Sequence, residues 1–203
     1  GEKIGGWIYG YTGFRVELTD RIKLGEENEI RVIADNSQTP NSRWYTGSGI
    51  YRDVTLIWGS KKHIAPDGIK VVTLSHDPAV LQVTTEMPEG VKEGRILIEL
   101  YELGSDEKEI LVLKGEGTDC KLIVPDAKLW DDEHPNLYQV KVILTEGGQV
   151  LDEQAITTGI RTLEWSAGKG IQVNGKTVKL RGGCIHHDNG ILGACAYKKA
   201  EYR

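Results

Sequence analysis

At 203 residues, with 39% hydrophobic and 27% charged side chains, the chain is long enough for one or two domains with cores of their own and is not composed like a disordered segment. Its 25 Lys and Arg stand against 30 Asp and Glu for a formal charge of −5 with no basic block, so nucleic acid is not an expected partner. No apolar run approaches the roughly 18 residues of a spanning helix, and no signal-like apolar stretch occurs, so no membrane partner is expected either.

Most of the chain reads as short strands. Phe14, Val16 and Leu18 alternate with Arg15, Glu17 and Thr19, and Ile50, Arg52, Val54, Leu56 and Trp58 keep a period of two. Both patterns predict half-buried strands. Further runs follow at Ile69–Leu74, Val80–Thr84, Arg95–Leu103, Ile110–Leu113, Lys121–Val124, Leu137–Leu144 and Val150–Thr157. Turn-forming sets separate them, among them Pro66-Asp67-Gly68, Pro88-Glu89-Gly90 and Gly104-Ser105-Asp106. Strands at this spacing, with no helical period between them, predict antiparallel sandwiches. Gly147-Gly148 predicts a two-residue hairpin loop, and Asn174-Gly175, between Ile171–Val173 and Thr177–Leu180, predicts a type I′ turn. The pattern changes near Ser60–Lys62 and again between Gly159 and Gly170, which divides the chain in three. Only Ala194–Arg203 reads as helical, rich in Ala and Lys and without Gly or Pro.

Common enzyme fingerprints are absent. No phosphate loop, dinucleotide fingerprint or nucleophile elbow is present, since Gly47-Ser48-Gly49 leads into a predicted strand. Cys120, Cys184 and Cys195 are odd in number and lack metal-site spacing, so they read as buried or free thiols.

Three polar clusters stand out. In Asn41–Arg52, Trp44, Tyr45 and Tyr51 lie among Arg43, Arg52 and several hydroxyls; this suits a sugar, but composition favours a structural corner with Arg52 paired to a carboxylate. In Leu129–Tyr138, Asp131, Asp132, Glu133 and His134 are contiguous, which favours a solvated turn over a cation site, with Trp130, Pro135 and Tyr138 as packing residues. In Lys179–Gly190, a predicted strand delivers His186, His187, Asp188 and Asn189 to its end, as on the rim of a βα unit. Adjacent residues in a strand face opposite ways, which disfavours one metal held by both His.

These residues carry a family resemblance. Gly10-Tyr11-Thr12-Gly13-Phe14, Gly25–Ile30 and Ser42–Val54 resemble the end of the sugar-binding domain of glycoside hydrolase family 2. Leu129-Trp130 through Pro135-x-Leu137-Tyr138, followed by Gly159-Ile160-Arg161, resembles that family's immunoglobulin-like domain. Leu180-Arg181-Gly182 through His186-His187-Asp188-Asn189-Gly190 resembles the first strand of its (β/α)8 barrel, in the form found in bacterial β-galactosidases.

The resemblance implies a mainly all-β fold in three parts. Residues 1–59 would be the C-terminal half of a jelly-roll sugar-binding domain, 60–160 an immunoglobulin-like β-sandwich, and 161–203 the start of a truncated TIM barrel. It implies His186, His187 and Asp188 as sugar-binding residues, with Asn36 and Arg43 from a loop of the first domain, and a carbohydrate of β-galactoside type as the partner. The implied reaction is hydrolysis of a terminal β-linked sugar with retention, by one carboxyl as acid and base and a second as nucleophile. No cofactor and no metal are implied. The family's two catalytic glutamates belong to later barrel strands, so the expectation is an internal slice of a longer protein, inactive alone. Asn28-Glu29 is expected in a turn of the first domain and is not the family's acid/base pair. Residues of about 60 to 160 are expected to be the well-packed unit, because a half-sandwich and a single barrel strand lack neighbours. A self-standing carbohydrate-binding or interaction module using Trp44 and Tyr45 is the alternative. Sugar identity, homo-oligomer formation and compartment, bacterial cytoplasm or periplasm, stay open.

Overall fold

The computed structural model describes residues 1–10, 12–38, 49–50, 52–88, 94–104, 108–185, 190–193, 195 and 197–202. The chain divides into two compact units, one of residues 1–54 with 184–203 and one of residues 55–183. The mainly all-β expectation holds: among the described residues, ten strands stand against a three-residue 3-10 turn, Gly190–Leu192, and one short helix, α1 (Lys198–Tyr202). No helix among the described residues is long and apolar enough to cross a membrane.

All ten strands belong to the second unit. They are β1 (Ile69–His76), β2 (Ala79–Thr85), β3 (Arg95–Leu103), β4 (Glu109–Glu116), β5 (Asp119–Ile123), β6 (Leu137–Glu146), β7 (Gln149–Thr158), β8 (Leu163–Ser166), β9 (Gly170–Val173) and β10 (Lys176–Thr177). They form three antiparallel sheets, ordered β1-β2-β5, β4-β3-β6-β7 and β8-β9-β10. The first two make the expected immunoglobulin-like sandwich, in which the chain crosses between sheets after β2, β4 and β5.

The core follows from the period of two. Ile96, Ile98 and Leu100 of β3 sit opposite Leu144, Val142 and Val140 of β6, and all six are buried. From the facing sheet, Ala79, Leu81 and Val83 of β2 and Leu122 of β5 complete the layer. Tyr138, 1% exposed, enters beside them, and its phenolic oxygen accepts the Lys128 N–H at 2.9 Å, which satisfies the one polar atom its ring carries inward. The buried residues of the core run from Ile64 to Ile160, the region in which the sequence placed the well-packed unit.

Two clasps seal that core. Where the chain enters, the Ile64 N–H donates to Asp152 Oδ2 at 2.8 Å and the Ile64 carbonyl accepts from Gln154 Nε2 at 3.0 Å, so two side chains of β7 replace a ladder rung. Where it leaves, Ile160 is fully buried and its carbonyl accepts the Trp130 N–H at 2.9 Å. Both hairpin predictions hold. Gly147 and Gly148 (φ 57° and 81°) and Asn174 and Gly175 (φ 49° and 75°) have the paired left-handed backbone of a type I′ turn.

Two strand predictions fail. No strand lies among the described residues before Ile69, so neither Phe14–Thr19 nor the described residues 52–58 form one. Val16 and Leu18 are half-buried, whereas Val54, Leu56, Ile57 and Trp58 are exposed, Trp58 by 89%. Alternation marks a segment suited to a ladder, but the ladder needs a second strand. Asn28 follows a turn at 24–26, with its side chain bonded to the backbone of Lys23 and Glu26.

Charges lace the outward face of the four-stranded sheet. Lys114 donates to Glu99 Oε1 and the Tyr101 phenol to Glu99 Oε2, while Lys141 lies over the Tyr101 ring at 5.2 Å. The Lys114 bond first, and the Tyr101 bond next, hold the Glu99 carboxyl below the usual glutamate range. The same bond, with burial second, pushes the Tyr101 phenol up to about 12. A group raised on folding stabilises fully below its unfolded pKa, about 10 for a phenol, and loses that contribution as pH rises through the folded value. Phenolate absorbance is therefore expected to lose one late-titrating tyrosine in Tyr101→Phe and to show it at lower pH in Glu99→Ala. Burial also raises Tyr138, so part of the late titration should survive Tyr101→Phe, and a late amplitude left undiminished by that substitution would refute the assignment.

Candidate functional site

Of the residues assigned to sugar binding, Asn36 is described: it is exposed, in a stretch with neither strand nor helix. Next to it, Ser37 donates its backbone N–H to Asp35 Oδ1 at 3.0 Å, and Ser37, through side chain and then backbone, holds the Asp35 carboxyl below its ordinary range. Arg43, His186, His187 and Asp188 lie outside the described residues, as do Trp44 and Tyr45. The residues leading to His186 are described to Ile185. Expected as a strand as far as Leu180 and on to the His pair, they form ladder pairs only at Lys176–Thr177, and 179–185 are exposed. A barrel strand is held by neighbours on both sides, and among the described residues no strand pairs with 179–185.

What the structure does assemble is a junction at one end of the sandwich, built from the motifs Leu129–Tyr138 and Gly159-Ile160-Arg161 and from the Asn174-Gly175 turn. Arg161 lies over the Trp130 indole at 4.6 Å. Gly159 lets the ring in: a Cβ there would stand 2.7 Å from Trp130 Cβ and Cγ. Asn174 Nδ2 donates to the Trp130 carbonyl at 3.0 Å, and Asn174 Oδ1 accepts the Thr162 N–H at 3.0 Å. Thr162 Oγ1 is 2.9 Å from His76 Nδ1, and the Arg161 N–H donates to Thr73 Oγ1 at 3.3 Å, which brings in β1. Trp130 is thus a packing residue, as its sequence context suggests.

Beside this junction lies a cleft of about 350 Å³ whose lining includes His76, Asp131, Asp132, Glu133, Asn174 and Lys176. The acidic loop is a solvated turn, as its contiguity predicts. Asp131 Oδ1 accepts the N–H groups of Glu133 (3.0 Å) and His134 (2.6 Å), and these bonds, the latter foremost, hold its carboxyl below the ordinary aspartate range. No group of three or more His, Cys, Asp or Glu among the described residues is placed to hold a metal ion. The carboxyls of Asp35, Glu99, Glu116 and Asp131 are all held below their ordinary range. That direction suits fixed anions in ion pairs and turns, and a general acid needs the opposite.

Sequence reasoning missed Asn174, Thr162 and His76 as members of one cluster. Asn174 was legible only as a turn residue, and neither Thr162 nor His76 falls in a motif. Strand β8 was missed as well, although Leu163 and Trp165 alternate with Glu164 and Ser166 ahead of a turn containing Gly168.

Comparison with known proteins places this arrangement. Residues 68–161 match the family described as glycosyl hydrolases family 2. A β-galactosidase from Bacteroides ovatus is 35% identical over 98% of this chain and 25% of its own length. A β-glucuronidase from Bacteroides fragilis is 27% identical over 91% of this chain and 30% of its own. The crystal structure of a glycosyl hydrolase family 2 member from Bacteroides cellulosilyticus superposes with a TM-score of 0.74 at 33% identity, covering 98% of this chain and 29% of that one. The chain spans 19% to 25% of the length of the first curated relatives it matches.

Proposed function

We propose that this chain, which belongs to glycosyl hydrolase family 2, is the non-catalytic scaffold portion of a retaining β-glycosidase that removes terminal β-linked sugars, with β-galactosides as the first substrate class. The carrying observation is the 35% identity with a β-galactosidase over 98% of the chain. The family match at 68–161 also coincides with the sandwich between Gly68 and the exit at Ile160 and Arg161. In this reading 1–59 belongs to a sugar-binding domain, 60–160 is the immunoglobulin-like sandwich, and 161–203 opens the catalytic barrel.

Retaining hydrolysis needs two carboxyls about 5 Å apart, one protonated to assist the leaving group and one ionised to attack the anomeric carbon. Burial or a like charge must raise the first. The carboxyls of Asp35, Glu99, Glu116 and Asp131 are shifted the other way, as suits structural anions. The acid and the nucleophile would come from the rest of the enzyme, while His186, His187, Asp188, Asn36 and Arg43 would bind sugar hydroxyls.

The purified 203-residue chain is expected to release no chromophore from an aryl β-galactoside above the buffer rate, and a longer protein carrying it is expected to do so with the β-anomer as first product by NMR. Turnover by the 203-residue chain alone would overturn the scaffold role. Failure of the longer protein on β-galactosides and β-glucuronides would overturn the glycosidase reading.

A further inference from the structure

We infer that Asn174 is a positioning residue: it ties the hairpin from which residues 178–183 depart to the body of the sandwich, and so sets the direction in which that segment leaves it. Only the last step, the link to sugar chemistry, rests on the functional reading above.

A type I′ turn asks of its first central residue a left-handed backbone and nothing more. Asn174 meets that with its φ of 49°, and its own N–H pairs with the Thr162 carbonyl at 3.0 Å. Its carboxamide is therefore not needed for the turn, yet both ends of it are spent on segments outside the hairpin, the Trp130 carbonyl and the Thr162 N–H. Each partner is itself fixed. Trp130 is held by the Ile160 carbonyl, by the missing Cβ of Gly159 and by the Arg161 guanidinium. Thr162 reaches His76 of β1 through its hydroxyl. One turn side chain thus joins the 129–138 loop to the exit from β7, and through Thr162 to an edge strand. Beyond it the hold is slight: the Val178 N–H donates to the Ile171 carbonyl at 2.9 Å, and 179–185 are exposed. The direction of departure is set at the turn.

Two variants keep the turn and alter the clasp. Asn174→Gly retains the backbone preference and removes both side-chain bonds. Asn174→Asp retains the acceptor for Thr162 and sets a carboxylate oxygen against the Trp130 carbonyl. In the 203-residue chain, hydrogen exchange at the Thr162 and Val178 amides is expected to rise roughly tenfold or more in Asn174→Gly, with the amides of β3 and β6 unchanged. No change, or an equal change everywhere, overturns the clasp. In the longer enzyme, kcat for an aryl β-galactoside is expected to fall roughly tenfold with KM within about twofold, Asn174→Asp losing less than Asn174→Gly. An active enzyme whose variants keep the wild-type kcat overturns the positioning role and leaves the family reading intact. A wild-type enzyme inert toward β-glycosides overturns both.

Discussion

Ile98→Ala is expected to lower the free energy of unfolding by about 3–4 kcal/mol. Ile98 is fully buried at the middle of β3, opposite Val142 of β6 and Gly115 of β4. Cutting it to Ala removes three carbons from a site walled by strands on both sides, so the vacated space cannot collapse cheaply. Gly115 sharpens the point: a Cβ there would stand 2.7 Å from Cys120 Sγ and Leu122 Cδ2, so the facing sheet already presses against β4 at this level. A domain with a total stability of roughly 5–15 kcal/mol would lose about a fifth or more of it. Urea unfolding followed by far-ultraviolet circular dichroism reads the change. Ile123→Ala is the control, since Ile123 is 70% exposed and should move the midpoint little. Equal losses in the two variants would mean that the core does not lie where β2, β3, β5 and β6 place it.

Gly159→Ala should cost about 2–3 kcal/mol although it adds only a methyl group. The added Cβ would meet Trp130 Cβ, Cγ and Cδ1 at 2.7, 2.7 and 2.8 Å. A ring and its stem cannot fold away as the end of a lysine can. Trp130 is also held through its own backbone, at the N–H by Ile160 and at the carbonyl by Asn174, so relief of the clash must break one of these bonds. Trp130→Ala in the same chain opens the space, and the double variant should lose clearly less than the sum of the singles. Gly168→Ala is the matched comparison: nothing lies within 4 Å of its Cβ, so loss of unfolded-chain freedom leaves it neutral or slightly stabilising. Additive losses at Gly159 and Trp130 would show that the two do not share the space.

The sandwich was legible because its strands carry their partners in the same sequence. Arg95–Leu103 and Leu137–Glu146 each alternate cleanly, and each finds the other at a register that buries both apolar faces. The glycine pair 147–148 and Asn174-Gly175 are legible for a local reason, since two successive left-handed residues admit little else. Phe14–Thr19 shows the limit of the method. Its alternation is as good as that of β1, but pairing is a property of two segments, and one pattern read alone cannot say whether its mate is at hand. The junction was illegible for a different reason. Asn174 lies 44 positions from Trp130, and His76 lies 86 from Thr162. No periodicity records a side chain reaching across such separations, so the carboxamide shows in the sequence only as a good turn former. The sugar-binding assignments stand on the family's string His186-His187-Asp188 and on Asn36 and Arg43.

That the entry clasp and the chain's exit share β7 has a mechanical consequence. The incoming chain is fastened at Asp152 and Gln154, and the outgoing chain leaves past Thr158, at the far end of the same strand. From Asp152 to Thr158 a strand advances about 20 Å. β7 is stiffened along that length by its ladder with β6. Both tails therefore bear on a single spar, and a pull applied through them is expected to load β7 lengthwise.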